Sequence, residues 1–137
     1  MSAEEKSVVN INGFNELNLP DSLLRAISTL GYLEPTPIQL QAIPPLLAGS
    51  DVLGQAQTGT GKTAAFALPL LAKIQAKRRE TQILVLVPTR ELALQVAEAF
   101  IGFAATLPEI NVSPIYGGPG HSSQLSIIRQ RAPIVIG

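Results

Sequence analysis

The sequence predicts an α/β fold in which helices flank a parallel sheet. Three observations carry that expectation. Ile83 to Val87 is an unbroken apolar run, β-branched at three of its five positions, as expected of a strand covered on both faces. Shorter apolar runs, Asn111 to Tyr116 and Ile134 to Ile136, follow it with helical segments between them, the alternation of a parallel sheet. Finally, a segment dense in Gly and Thr, Ala56 to Thr63, joins a short predicted strand, Asp51 to Gln55, to a helix.

Taken in order, Met1 to Gly13 carries no periodic pattern and reads as a flexible leader. Leu23, Leu24, Ile27 and Leu30 share one face of a helix that Pro20 and Asp21 begin and Gly31 ends. A second short helix is expected after Pro35, through Ile38, Gln39 and Ala42, until Pro44 and Pro45 disrupt it; Leu46 to Gly49 then turns the chain. The helix after the Gly-rich segment runs through Phe66, Leu70 and Ile74, with Pro69 kinking it or loosening one turn. Lys77 to Glu80 reads as a solvated charged loop. Leu92, Val96, Phe100 and Leu107 lie along one helical stripe. Gly117 to Gly120 reads as a loop and Ser122 to Arg131 as a helix. There is no internal repeat.

Composition narrows the function classes. A chain of 137 residues suits one domain and is too short for two. With 46% hydrophobic and 15% charged residues, a core can form. Lys and Arg balance Asp and Glu at ten each, so any nucleic-acid binding comes from a local patch and not from bulk charge. The absence of cysteine excludes disulfides, thiolate metal sites and a Cys nucleophile, and a single histidine, His121, argues against a His metal site. His121 has no acidic or nucleophilic partner nearby in sequence, so no catalytic role is assigned to it. No stretch approaches the ~20 apolar residues of a membrane span, and the polar N-terminus is unlike a signal peptide. The expectation is a soluble, cytoplasmic domain without membrane contact.

The chemistry concentrates in Ala56-Gln57-Thr58-Gly59-Thr60-Gly61-Lys62-Thr63. Gly59 and Gly61 allow dihedrals that a Cβ forbids, so successive N–H groups can turn toward a phosphate. The following helix adds its positive dipole end. Lys62 would reach the β- and γ-phosphates, and the Thr63 hydroxyl would ligate Mg²⁺. The alternative is a Gly-rich turn before a helix whose lysine is merely solvated. Ala56 stands where the general phosphate-loop pattern has Gly.

Four motifs in order give the chain a family resemblance. Gly31-Tyr32-Leu33-Glu34-Pro35-Thr36-Pro37-Ile38-Gln39 resembles the Q motif of DEAD-box RNA helicases, with Phe14 upstream where that family keeps an isolated aromatic. Ala56 to Thr63 resembles their motif I, which accepts Ala first. Pro88-Thr89-Arg90-Glu91-Leu92-Ala93 resembles motif Ia, and Gly117-Gly118 the glycine doublet. Gln124 falls where many members have Gln, and bacterial cold-shock and ribosome-assembly members look most alike. The resemblance spans Phe14 to Gly137. It implies a RecA-like P-loop NTPase sheet with flanking helices, here a partial first helicase domain over residues 14–137. It also implies an ATP site in which Gln39 reads the adenine edge, Tyr32 lies against the base and Phe14 and Thr36 lie near. Ala56 to Thr63 would hold the phosphates, with Lys62 and Thr63 serving catalysis. Thr89, Arg90 and Gly118 would contact RNA phosphates and sugars without sequence preference. Read without the resemblance, Thr36 begins a helix, Gln39 is a surface amide and Thr89 is a helix cap.

The same comparison shows what these residues do not include. The aspartates are Asp21 and Asp51 alone; neither ends a strand where a Mg²⁺-binding acid should. The Asp-Glu-Ala-Asp tetrapeptide, motif Ib, the Ser-Ala-Thr motif and the second domain with its arginine finger are missing, so the sheet is expected to be incomplete, stopping before the Walker B strand. The chain alone is therefore expected not to hydrolyse ATP. It is also expected not to fold stably as a monomer, since both family neighbours of Asp51 to Gln55 would lie past Gly137 and open edges invite association. Two other classes stay open: a non-catalytic nucleotide- or RNA-binding module, and another P-loop enzyme such as a small kinase, against which the Q motif and Pro88 to Ala93 argue.

Overall fold

The computed structural model describes residues 13–75, 77–78, 80–107, 110–115 and 133–137. The chain forms two compact units that divide after Lys73.

The first unit is helical. A 3₁₀ turn, Phe14–Leu17, is followed by α1 (Asp21–Thr29), α2 (Pro37–Leu47) and α3 (Lys62–Ala72). Helix α1 buries Leu23, Leu24 and Ile27 as its spacing predicts. Leu30 departs from that face. It lies past the helix as its C-cap and is 48% exposed. Gly31 takes φ +91°, and the exit closes with Gly31 N–H on the Ser28 carbonyl and Tyr32 N–H on the Ile27 carbonyl at 3.1 and 2.9 Å, the paired bonds of a Schellman motif.

Helix α2 corrects an expectation. It runs through Pro44 and Pro45 to Leu47 instead of breaking at them. Each proline leaves one carbonyl four residues back without its helical donor. Those acceptors belong to Leu40 and Gln41, both exposed, so water can take the place of the missing N–H. The prolines still accept bonds, Pro44 from Ala48 N–H at 3.0 Å and Pro45 from Ser50 N–H at 2.9 Å. Helix α3 likewise continues through the buried Pro69 to Ala72. It packs extensively on α2, presenting Ala64, Ala65, Ala67, Leu68 and Leu71 among its buried residues; small side chains permit the close approach of two helix axes. The helix ends before Ile74, which the sequence pattern had included.

Asp51 to Gln55, expected as a strand, forms none. All five residues are exposed, Leu53 by 95%. A strand needs a ladder partner, and none of the described strands pairs with this segment.

The second unit holds a three-stranded parallel sheet of β1 (Ile83–Val85), β2 (Val112–Pro114) and β3 (Ile134–Ile136) in the order β1-β3-β2. Ile134 sits in register with Ile83 on one side and Val112 on the other. Backbone bonds prolong the pairing, with Gly137 N–H on the Val85 carbonyl at 2.8 Å and Val87 N–H on the Gly137 carbonyl at 3.1 Å. Helix α4 (Arg90–Phe103) connects β1 to β2 and packs on β2 and β3. The apolar run that suits a strand covered on both faces is covered only in part, as an incomplete sheet implies: Ile83 is buried, but Leu84 and Leu86 are 64% and 76% exposed. On α4, Val96 and Phe100 are buried with Ala93, Ala97 and Phe103, whereas Leu92 is 37% exposed and Leu107 lies past the helix. Within the predicted strand Asn111 to Tyr116, Val112–Pro114 forms β2, and Tyr116 lies outside the described residues. The loop Gly117 to Gly120, the helix Ser122 to Arg131 and the residues Gly118, His121 and Gln124 lie outside the described residues, as do the first twelve of the leader.

The loop before β1 is closed by one side chain. Gln82 accepts from Gln75 N–H through Oε1 and donates to the Gln75 carbonyl through Nε2, both at 2.8 Å. Its amide thereby imitates a neighbouring strand. Arg78 and Glu80 form an exposed ion pair within this loop.

Candidate functional site

The first unit brings two of the sequence motifs into contact. Thr36 caps α2 in a reciprocal capping box: its Oγ1 accepts from Gln39 N–H at 3.4 Å, and Gln39 Oε1 accepts from Thr36 N–H at 2.9 Å. The other end of the Gln39 amide reaches the Gly-rich loop, Nε2 donating to the Gly61 carbonyl at 3.1 Å. Gln39 is only 1% exposed. It is therefore no surface amide. It is the buried link between Pro35-Thr36-Pro37 and the loop that opens α3.

The loop has the backbone its glycines imply. Gly59 and Gly61 take φ +82° and +83°. Around Gly59 there is open space, whereas a Cβ on Gly61 would overlap Gln39 Nε2, so Gly61 is needed both for its conformation and for the approach of the amide. Gly61 is also the N-cap of α3, and no side chain caps that helix. The first-turn N–H groups are thus left for a ligand or water. Lys62 is exposed in that first turn, Thr63 half-buried beside it, and Gln57, Thr58 and Gly59 are exposed while Ala56 and Thr60 are half-buried. Thr60 Oγ1 donates to the Gln57 carbonyl at 2.6 Å, closing the turn on itself. A polyphosphate fits this chemistry, which offers loop N–H groups, a helix dipole and one exposed cation in the same first turn.

Tyr32 follows the exit of α1 and is half-buried; burial raises its phenol above the ordinary tyrosine pKa. Phe14 packs on it edge-to-face, ring centroids 6.2 Å apart at 68°. Phe14 is fully buried, so its ring offers no open face to a ligand in this conformation. Gly13, which the sequence pattern groups with the leader, is in contact with Pro35. Nothing in the sequence signalled that contact.

In the second unit Thr89 caps α4, its Oγ1 accepting from Leu92 N–H at 3.1 Å, with Arg90 exposed in the first turn and Glu91 beside it. The cap expected from sequence alone is present. No described helix is long and apolar enough to cross a membrane, and the described residues contain no cluster of three or more His, Cys, Asp or Glu that could hold a metal.

A family model for the DEAD/DEAH box helicase matches residues 36–137. The chain belongs to the DEAD/DEAH box helicase family. The ATP-dependent RNA helicase DeaD of Mycobacterium tuberculosis is 56% identical over 124 residues, which are 90% of this chain and 22% of that protein. DeaD of Escherichia coli is 52% identical over 124 residues, 90% of this chain and 20% of that protein. Solved structures agree. A DEAD box protein from Methanococcus jannaschii superposes with a TM-score of 0.85 at 39% identity, covering 91% of this chain and 34% of the other. The helicase Prp28 from Chaetomium thermophilum bound to ADP gives 0.80 at 41% identity, covering 91% and 31%. The fold class expected from the motifs, a RecA-like α/β domain present in part, is thus the one found, and this DEAD-box chain spans about a fifth of the length of the curated relatives it matches.

Proposed function

We propose that this DEAD-box chain is the ATP-binding part of an RNA helicase domain. ATP would be held by Tyr32, Thr36 and Gln39 at the base and by Ala56, Gln57, Thr58, Gly59, Thr60, Gly61, Lys62 and Thr63 at the phosphates. The single observation that carries this is the Gln39 bridge, which couples the segment before α2 to the loop before α3. A Gln amide has two N–H donors and an oxygen with two lone pairs. The bonds to Gly61 and Thr36 use one of each. What remains is one donor beside one acceptor, the pair that the adenine edge complements and the guanine edge does not. Because Gln39 is 1% exposed, a base reaches it only after its cover opens locally.

Lys62 would supply charge to the β- and γ-phosphates, and the Thr63 hydroxyl would ligate Mg²⁺, which supplies charge neutralisation on the phosphates when bound. In the second unit, Thr89 and Arg90 at the start of α4 would take RNA phosphates and sugars, as Gly118 would elsewhere in the chain, because first-turn N–H groups and an exposed cation favour backbone over base. The 137 residues contain no Asp-Glu-Ala-Asp segment, so these residues by themselves should bind ATP without turning it over. Exposed Leu84 in β1 and Leu86 just past it favour association of the isolated chain through that edge.

Calorimetric titration tests the reading. The chain should bind ATP in preference to GTP, and Gln39→Ala should abolish the preference. Lys62→Ala should weaken both nucleotides, because it removes charge from the phosphates and not from the base. Equal affinities for ATP and GTP in the unmutated chain would remove the base-reading role.

A further inference from the structure

We infer that the cavity between the end of the 3₁₀ turn and the end of α2 takes an arginine side chain of a partner peptide. This site is separate from the proposed ATP site, whose residues lie at the start of α2 and in the loop before α3.

The cavity measures about 430 Å³ and is lined by Glu16, Leu17, Asn18, Pro44, Leu47 and Ala48. Its volume lies in the range of small-molecule and side-chain sites. Two segments make it. The 3₁₀ turn ends in Asn18, whose φ of 65° and ψ of 28° are left-handed, a conformation that asparagine tolerates better than most residues with a Cβ. On α2 and its C-cap, Pro44, Leu47 and Ala48 follow the spacing that puts side chains on one face. Leu17 is buried and Leu47 half-buried. With the Pro44 ring they form an apolar floor, which suits the methylene stem of a long side chain.

The polar part of the lining is one-sided. Glu16 is its single charged residue; it is exposed and forms no ion pair among the described residues. Asn18 adds an amide oxygen beside it. Pro44 has no N–H, so the Leu40 carbonyl one turn back on the same face lacks its helical donor. Negative charge and oxygen acceptors over an apolar floor call for a cation with several donors on an apolar stem. A guanidinium presents a planar fork of N–H donors that takes a carboxylate bidentately and keeps others for neighbouring oxygens. An ammonium is a compact, strongly hydrated point charge and meets the same acceptors less well. One arginine side chain fills only part of the 430 Å³, which leaves room for the peptide that carries it.

Saturation-transfer NMR on the full 137-residue chain, titrated with N-acetyl-arginine amide, tests the assignment. N-acetyl-citrulline amide has nearly the same shape without the charge. It should bind about 2- to 5-fold more weakly, the range of an exposed ion pair. Glu16→Gln should erase that difference, while Glu98→Gln, which removes an exposed acid of the second unit, should leave it intact. Ala48→Lys supplies the cavity with a cation of its own; it should weaken arginine binding by a similar factor and covers the case in which Glu16→Gln fails to fold. N-acetyl-lysine amide and spermidine should both bind more weakly than the arginine derivative. Equal binding of the arginine and citrulline derivatives would overturn the inference, as would equal effects of Glu16→Gln and Glu98→Gln or no response to Ala48→Lys. Binding of the lysine derivative or of spermidine as tight as that of the arginine derivative would overturn it too, the second by making the occupant a free polyamine.

Discussion

Replacing Gln39 by glutamate probes the bridge between the two motifs with almost no change of shape. Oε1 of Gln39 accepts from Thr36 N–H at 2.9 Å, and an introduced carboxylate keeps that bond. At the other end Nε2 donates to the Gly61 carbonyl at 3.1 Å, where a carboxylate would set one acceptor against another. Gly61 is not orphaned by the change, since its carbonyl also accepts from Ala65 N–H at 3.1 Å. The cost falls on the introduced oxygen, which has lost its partner at a position only 1% exposed. A buried polar group without its partner costs about 1–3 kcal/mol, and more when charged, so Gln39→Glu should lose roughly 2–3 kcal/mol at pH 7.5. Protonation supplies an O–H that can donate to Gly61 in place of the N–H, and the loss should shrink in acid. The sign follows from linkage. The folded state raises the introduced carboxyl above its unfolded value of about 4.3. Its favourable contribution is thus complete below about pH 4.3 and is lost as pH rises through the folded pKa. Urea unfolding followed by far-UV circular dichroism at pH 4 and 7.5, at low protein concentration, measures this. The gap between Gln39→Glu and the unmutated chain should widen by at least ~1 kcal/mol over that range, whereas the deficit of Gln39→Ala should stay level. A gap that does not change with pH would refute donation from Gln39 to Gly61.

Other perturbations test neighbouring parts of the argument. Gly61→Ala forces a Cβ into Gln39 Nε2 at a residue with φ +83°; the left-handed conformation alone should cost about 1–2 kcal/mol, and calorimetry should register loss of ATP and tripolyphosphate together. Purified chain should show no phosphate release above background with or without RNA, and RNA-stimulated turnover abolished by Lys62→Ala would contradict this. Leu84→Lys with Leu86→Lys should reduce concentration-dependent association in sedimentation velocity, because charge on an open edge blocks strand addition. Thr89→Ala should cost about 1 kcal/mol through loss of the α4 cap and Thr89→Ser much less, as thermal unfolding of the two variants can show.

Legibility in the sequence followed how local each feature is. Gly59, Gly61 and Gly31 take positive φ where their neighbours demanded it, and the Pro35-Thr36-Pro37 start signal is a capped helix start. These depend on a few adjacent residues. Pro44 and Pro45 misled because a proline's missing bond matters less where the freed carbonyl is open to water, and Leu40 and Gln41 are exposed. Asp51 to Gln55 misled for the opposite reason. Its composition suits a strand, but a strand is a property of two segments, and none of the described strands supplies the second. Leu84 and Leu86 carry the same lesson, as apolar residues whose cover is not encoded beside them.

Gln39 is the case in which the surface-amide reading fails and the base-reading one gains a neighbour that the sequence did not show. As a surface amide it would have been free to read a base at any time. As a base reader alone it would have had no tie to the phosphates. In the structure the amide completes the cap of α2 and holds the carbonyl that begins α3. Gly61 is at once the N-cap of α3 and the acceptor from Gln39, so any motion of the amide on meeting a base is felt at the first turn carrying Lys62 and Thr63. If the chain binds ATP as proposed, phosphate and base recognition are linked through one hydrogen bond at 3.1 Å. Such linkage is reciprocal by necessity. If adenine loosens the Gly61 bond, tripolyphosphate bound at the loop must change adenosine affinity by the same factor. Titrating adenosine with and without saturating tripolyphosphate reads that factor directly. Two independent affinities would mean that the bridge holds the fold together and carries no signal between the two halves of the nucleotide.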